Sequence, residues 1–278
     1  MNSAVRRACV MGHPISHSRS PMIHGYWLNQ LGIAGRYELV DKAPEAFADF
    51  FTRLADNGYV GGNITVPHKE AAYRLVARRD DIAEAVGAVN TVWYEGTQLM
   101  GSNSDPHGFI ANLDELAPGW NVAGCRVVML GAGGAARSAA FALMERGADV
   151  ALANRTIDRA RALAGHFGPH VSGHGFDALT ALLPSADLLV NCTSLGMVGK
   201  PPLEVDLAPL KKSAVVYDVV YVPLETALLA QARARGHRIV DGLGMLLHQA
   251  GFGFEKWFGV MPKVTTGLRS LLEADLRK

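Results

Sequence analysis

The segment Val127-Val128-Met129-Leu130-Gly131-Ala132-Gly133-Gly134-Ala135-Ala136-Arg137 constrains the fold more than any other stretch of the chain. A short apolar run, of strand length, enters a glycine turn and leaves it as an Ala-rich segment of helical character. Strand, tight turn and helix in that order open a dinucleotide-binding βαβ unit. Gly131 permits the sharp turn, Gly133 lets the backbone approach a pyrophosphate, and Ala136 keeps helix and strand close. The unbonded N–H groups of the helix start then face the phosphates. The second strand, Val150-Ala151-Leu152-Ala153, ends in Asn154-Arg155-Thr156, with Arg159 one helical turn further on. Sites for NAD usually carry Asp or Glu at this tip to accept from the ribose 2′-hydroxyl. A carboxylate would repel a 2′-phosphate, whereas a guanidinium grips one bidentately. The tip therefore predicts NADP(H).

Strand-like and helix-like segments alternate around this unit almost throughout, which predicts an α/β protein with mainly parallel sheets. A chain of 278 residues with 49% hydrophobic content is long enough for two domains. Strands are predicted at residues 8–11, 37–40 and 59–66. Helices are predicted from a Ser20 cap with Pro21 at the first position to about residue 31, over 44–55, and from Pro67 onward. Residues 91–94 and 98–101 read as a hairpin joined at Glu95-Gly96-Thr97. Asp105-Pro106 reads as an N-cap followed by a first-turn proline, and residues 117–121 as a boundary loop. Beyond it, strands near 127, 149, 187 and 214 are each expected to have a helical follower. A last helical tract, 245–258 and 266–276, has no strand of its own. It is expected to pack back on the first domain or on the cleft between domains.

A formal net charge of +1 gives no electrostatic reason to expect nucleic acid or an anionic membrane as partner. The start of the chain carries Arg6 and Arg7, but the apolar stretch after them is stopped by His13 and Pro14, too soon for an export signal. No apolar run approaches membrane-spanning length. Cys9, Cys125 and Cys192 lie far apart in apolar surroundings without metal-ligand spacing, as reduced thiols of a cytoplasmic protein do. His13, His17 and His24 lack a fourth ligand at suitable spacing, so no metal site is expected.

A nicotinamide carrier supplies a hydride, and the protein must position a substrate and manage one proton. Lys69, in Gly62-Asn63-Ile64-Thr65-Val66-Pro67-His68-Lys69, falls in a first helical turn, where the macrodipole favours the neutral amine. Asp105, in Asn103-Ser104-Asp105-Pro106, is the second candidate, and its helix-capping role stands beside any chemical one. In Pro14-Ile15-Ser16-His17-Ser18, an extended backbone would project Ser16 and Ser18 to one side, where both hydroxyls can bind a carboxylate; turn chemistry is the other reading of these serines. His68 and His248 sit beside better candidates and need no role.

These motifs, with Gly87-Ala88-Val89-Asn90-Thr91, Asn191-Cys192-Thr193-Ser194-Leu195-Gly196-Met197 and Asp241-Gly242-Leu243-Gly244-Met245-Leu246-Leu247-His248-Gln249-Ala250, give the chain a close resemblance to shikimate dehydrogenases over nearly its whole length. The resemblance implies NADPH-dependent, reversible reduction of 3-dehydroshikimate to shikimate in aromatic amino-acid biosynthesis. It implies Lys69 as proton donor and acceptor, with Asp105 orienting the reacting hydroxyl. Ser16 and Ser18 would hold the substrate carboxylate, while Thr65, Asn90, Asp105, Tyr221 and Gln249 would bond its hydroxyls or carboxylate. The cofactor would lie on Gly131, Ala132, Gly133, Gly134 and Ala135 and on Asn154, Arg155, Thr156 and Arg159, with Val219 and Gly242 near the nicotinamide. Asp81 occupies a position linked to cofactor or cleft contacts. The implied organisation is a substrate domain, 1–105 rejoined by 240–278, and a Rossmann domain, 106–239, with a cleft between them and often a homodimer. One departure is visible: the family's Asn-Thr-Asp reads Asn103-Ser104-Asp105, which alters packing and keeps the hydroxyl. The alternatives are a dual quinate/shikimate dehydrogenase, against which Asn154-Arg155 argues, and a catalytically idle NADP-binding sensor, against which the retention of Lys69 and Asp105 argues.

Overall fold

The computed structural model describes residues 5–277; residues 1–4, the start of the segment weighed as an export signal, lie outside the described residues. Two compact units emerge, one of residues 5–104 with 247–275 and one of 105–246 with 276–277.

In the first unit the elements run β1 (Arg6–Gly12), α1 (Ser20–Gln30), β2 (Gly35–Asp41), α2 (Pro44–Thr52), β3 (Gly61–Ile64), α3 (Lys69–Leu75), β4 (Arg78–Arg79), α4 (Asp81–Val86), β5 (Thr91–Glu95) and β6 (Gln98–Ser102). Its six-stranded sheet has the order β2-β1-β3-β5-β6-β4. β1 is parallel to β2 and β3, and β4 to β6, whereas β5 runs antiparallel to β3 and β6. The antiparallel pairs come from the predicted hairpin, which closes on Gly96-Thr97 with Gly96 at φ 62°. The sheet is thus mixed, since a two-residue turn cannot return a parallel strand.

The second unit runs α5 (Asp105–Leu116), β7 (Arg126–Leu130), α6 (Gly134–Glu145), β8 (Asp149–Ala153), α7 (Ile157–Phe167), β9 (Val171–His174), α8 (Leu179–Leu182), β10 (Leu188–Asn191), β11 (Val215–Asp218), α9 (Ala227–Ala234) and β12 (Arg238–Val240). Its sheet, β12-β11-β10-β7-β8-β9, is parallel throughout, the doubly wound order of a Rossmann fold. One core face holds Phe109, Met129, Ala136, Leu152 and Tyr217, and the other Val128, Leu130, Leu189, Val216 and Leu228, as a sheet covered on both sides requires. The strand expected near 187 has no helical follower: residues 192–214, between β10 and β11, are irregular.

The chain closes with α10 (Leu243–Phe258) and α11 (Thr266–Leu276). Within the first unit, Trp257 donates its ring N–H to the Val92 carbonyl (2.8 Å), and Arg6 donates to the Trp257 carbonyl (3.1 Å). Trp27 donates to Lys263 (3.0 Å), so the last helices complete that unit's core. Among the described residues, no helix is long and apolar enough to cross a membrane.

Candidate active site

The polar residues of the first unit gather at one edge of its sheet for a topological reason. β1 and β3 are parallel, so the loops after Gly12 and Ile64 leave on the same side. β5 runs against β3 and β6 against β5, which brings the start of β5 and the end of β6 to that same edge. Ser16, Ser18, Thr65, Lys69, Asn90 and Ser104 all lie on these connections.

Asn90 is the centre of the hydrogen bonding. Its backbone joins both neighbours, accepting from Ile64 N–H (2.8 Å) and donating to Ser102 (3.0 Å). Its side-chain Oδ1 accepts from Ser104 N–H (2.8 Å), the Thr91 hydroxyl (2.8 Å) and the Ser104 hydroxyl (3.2 Å). The Ser104 hydroxyl also lies 3.1 Å from Gln249 Oε1, which links two of the expected substrate residues through the position where the sequence departs from its family. The sequence predicted that serine keeps the hydroxyl at this position but named no partner for it; in the structure that hydroxyl is a bridge.

Lys69 is the first residue of α3 and half-buried, while Pro67 lies outside the helix. The expected first-position proline is thus displaced by two residues. His68 takes the N-cap position, with its own N–H bonded to the Thr65 carbonyl (2.9 Å). Its buried ring stacks on Phe47 at 4.2 Å and donates to the Lys42 carbonyl (2.7 Å). His68 therefore has a role that the sequence did not reveal, anchoring the turn that delivers Lys69. Val89 N–H bonds the Lys69 carbonyl (3.1 Å), tying the helix start to the residue before Asn90. Thr65 packs so close to Gly12 that a Cβ there would meet its methyl at 2.5 Å.

Residues 15–18 are not extended. Ser18 N–H bonds the Ile15 carbonyl (2.9 Å), closing a turn with Ile15 buried, Ser16 exposed and Ser18 half-buried. Same-side projection from strand alternation does not apply, and turn geometry places both hydroxyls. Ser20 opens α1 without capping it, and its N–H lies 3.4 Å from Ser18 Oγ. The three N-terminal histidines go separate ways: His13 pairs with Asp41 (2.6 Å) and His24 is buried against Tyr37. Among the described residues, no group of three His, Cys, Asp or Glu is placed to hold a metal ion.

Asp105 follows Ser104 directly and opens α5 as its first helical residue, one position inside the expected cap. Asp105 and Tyr221 belong to the second unit and the other expected substrate residues to the first. Asp81, exposed at the start of α4 beside the capping Asp80, belongs to the first unit and the other expected cofactor residues to the second.

In the second unit the glycine turn sits between β7 and α6, where strand order reverses from β8 on one side to β10 on the other. Gly131 has φ 108° and donates its N–H to Ala153 (2.8 Å), and a Cβ on it would press Thr193 at 3.1 Å. At Gly133 and Gly134 a Cβ would meet nothing within 4 Å, so protein packing requires glycine at neither. Helix α6 starts there with no side-chain cap and no acid in its first turn. An exposed helix start cleared of side chains fits a pyrophosphate. Ala136 is fully buried against the sheet. After β8, the Asn154 amide donates to the Thr156 carbonyl (2.8 Å), shaping the tip. Arg155 and Arg159 are exposed there and form no ion pair among the described residues, an arrangement that fits a 2′-phosphate. Val219 and Gly242 are brought together: a Cβ on Gly242 would run into the Val219 carbonyl.

Two family models match the chain, the shikimate dehydrogenase substrate binding domain over residues 10–92 and shikimate/quinate 5-dehydrogenase over residues 114–204. A Mesorhizobium japonicum protein named shikimate dehydrogenase (NADP+) is 57% identical, over 99% of this chain and 99% of its own. The chain belongs to the shikimate dehydrogenase family. The fold agrees with that family. A Thermus thermophilus shikimate 5-dehydrogenase, solved with NADP(H) and shikimate, superposes with a TM-score of 0.85 at 34% identity, covering 98% of this chain and 99% of the other. A Corynebacterium glutamicum quinate dehydrogenase, solved with NAD, has a TM-score of 0.87 at 32% identity over 96% and 99% of the two chains.

Proposed function

We propose that the chain is an NADP-dependent shikimate dehydrogenase, reversibly reducing 3-dehydroshikimate to shikimate on the route to chorismate and the aromatic amino acids. The observation that carries this reading is the bonded set Asn90, Ser104 and Gln249, at the sheet edge from which the Lys69 helix leaves. A ring acid with several hydroxyls calls for neutral amides and hydroxyls, and a site that bonds each hydroxyl discriminates against analogues lacking one.

Ser16 and Ser18 would hold the carboxylate of the substrate, and Thr65, Asn90, Asp105, Tyr221 and Gln249 would bond its hydroxyls or carboxylate. Residues 131–135 would cradle the pyrophosphate of NADP(H), Arg155 and Arg159 with Asn154 and Thr156 its 2′-phosphate, and Val219 and Gly242 would border the nicotinamide. Bound NADPH supplies the hydride. Lys69, as ammonium, protonates the oxygen at C3, and its neutral amine takes that proton back in the oxidative direction, while Asp105 orients the hydroxyl. Lys69→Ala is expected to lower kcat by about 10²- to 10⁴-fold with little change in KM for shikimate; near-normal turnover would remove Lys69 from the mechanism.

The deciding assay follows the reduced-nicotinamide absorbance with shikimate and with quinate, each offered NADP+ and NAD+. Shikimate with NADP+ is expected to dominate. A preference for quinate with NAD+ would instead match the second reading, a dual quinate/shikimate dehydrogenase, and NADPH binding without turnover would mean an idle sensor. We extend the proposal to a cytoplasmic homodimer: the buried free thiols of Cys9, Cys125 and Cys192 support a reducing compartment, and the family resemblance supports the dimer.

A further inference from the structure

We propose that Asp218, a carboxylate buried at the end of β11, is a positioning residue that holds Tyr221 in place for the substrate; the inference rests on the dehydrogenase reading above. Asp218 is fully buried, yet all its described partners are donors. Its Oδ1 accepts from the Asn191 amide (2.9 Å) and from Val220 N–H (3.0 Å), and its Oδ2 from the Thr226 hydroxyl (2.6 Å). Burial pushes the carboxyl above its ordinary pKa, and these bonds, led by that of Thr226, oppose the shift. An amide in this position would turn N–H groups toward donors, so the set is built for a carboxylate.

The geometry ties down both ends of the loop that carries Tyr221. On one side Val220 is bonded to Asp218, and Val219 N–H is bonded to the Asn191 carbonyl (3.0 Å). On the other, Thr226 gives its proton to Asp218 while its oxygen caps α9 at Leu229 N–H (3.3 Å). Tyr221 stands between Val220 and Val222, whose carbonyl accepts from Val198 N–H (2.9 Å). The same carboxylate reaches the glycine turn: Asn191 Oδ1 accepts from the Thr193 amide (3.0 Å) and hydroxyl (2.7 Å), and Thr193 packs on Gly131. One buried charge thus joins the loops after β10 and β11. Tyr221 follows directly on Val220, whose N–H that carboxylate holds.

A double-mutant cycle on the full-length enzyme tests this, with KM for shikimate as readout and thermal stability recorded for each protein. Tyr221→Phe and Asp218→Asn are each expected to raise KM about tenfold, and the double variant about tenfold as well, because both changes remove one interaction. Multiplying effects, about a hundredfold in the double variant, would make Asp218 a structural residue and overturn the inference. If Asp218→Asn does not fold, Thr226→Val replaces it in the cycle, with Thr226→Ser expected to restore the wild-type KM. A silent Tyr221→Phe overturns the inference too, while wild-type turnover of shikimate with NADP+ reports separately on the dehydrogenase reading.

Discussion

At Ser104 one hydroxyl lies between two amide oxygens, Asn90 Oδ1 at 3.2 Å and Gln249 Oε1 at 3.1 Å. Removing it takes away the hydroxyl that joins the two amides, a loss of about 1 kcal/mol, while Asn90 Oδ1 keeps its bonds from Ser104 N–H and the Thr91 hydroxyl. Ser104→Ala is therefore expected to raise KM for shikimate about fivefold, on the scale of that loss. Ser104→Thr, which keeps the hydroxyl and restores the family's usual residue, is expected to match the wild type within about threefold. An alanine variant with unchanged KM would show that the bridge does not hold the two amides. His24 is a second residue whose surroundings make a measurable claim. Its ring is fully buried, stacked 3.9 Å from Tyr37, with no hydrogen-bond partner for either nitrogen among the described residues. Burial holds its pKa down to about 3, and the nearby Asn63 side chain opposes that only in part. The folded ring stays neutral where the unfolded ring, near pH 6.5, already takes a proton. Stability from this group is thus intact above about pH 6.5 and falls as pH drops from there toward 3, by a few kcal/mol in all. Urea unfolding at several pH values should show the wild type losing stability on acidification relative to His24→Phe, and a constant gap between the two would contradict this account.

The connection between β8 and α7 is the element whose chemistry was most legible in advance. Asn154, Arg155 and Thr156 carry their meaning by lying just beyond a strand end, and that placement survives in the structure because β8 lies beside β7. Arg155→Asp is expected to lower kcat/KM for NADP+ about 10- to 100-fold while leaving NAD+ nearly unchanged. Equal losses with both cofactors would mean that Arg155 does not read the 2′-phosphate. Other elements were legible only in part. The proline rule started α3 at Pro67, but His68 N–H closes a turn on Thr65, and the helix begins at Lys69. Strand alternation over Ser16 and Ser18 failed for the same reason, a local turn whose hydrogen bond competes with an extended backbone. The expectation of a helix after every strand of the second unit failed at β10, where the side chains of Asn191 and Thr193 organise an irregular loop instead.

At the scale of the molecule, a long stretch of chain separates the last two helices from the sheet they complete. Trp257, Phe254 and Trp27 are all but completely buried in the first unit, and the aromatic rings of Phe254 and Trp257 come from α10. A chain ending at residue 246 is therefore expected to lose the cooperative unfolding of the first unit, since it lacks Phe254 and Trp257 and exposes Trp27, residues whose burial contributes about 3–5 kcal/mol each. A urea titration checks this, and a truncated protein whose first unit still unfolds in one cooperative transition at the wild-type midpoint would refute it. That α10 and α11 are helices was clear from their apolar spacing. Their placement on this sheet rests on contacts such as Trp257 with Val92, which pattern alone does not specify.

The sequence by itself determined the parallel α/β unit, its glycine turn and the charge at the end of its second strand, because these are local: each is written in neighbouring residues whose backbone preferences agree. It also carried the motifs that mark the family. Only the tertiary structure decided that Asn90, Ser104 and Gln249 meet, that His68 anchors the Lys69 turn, and that Asp218 is shared by two loops. Each of those depends on hydrogen bonds between residues far apart in the chain, and polar side chains acquire such partners only after strand order has brought the loops to one edge.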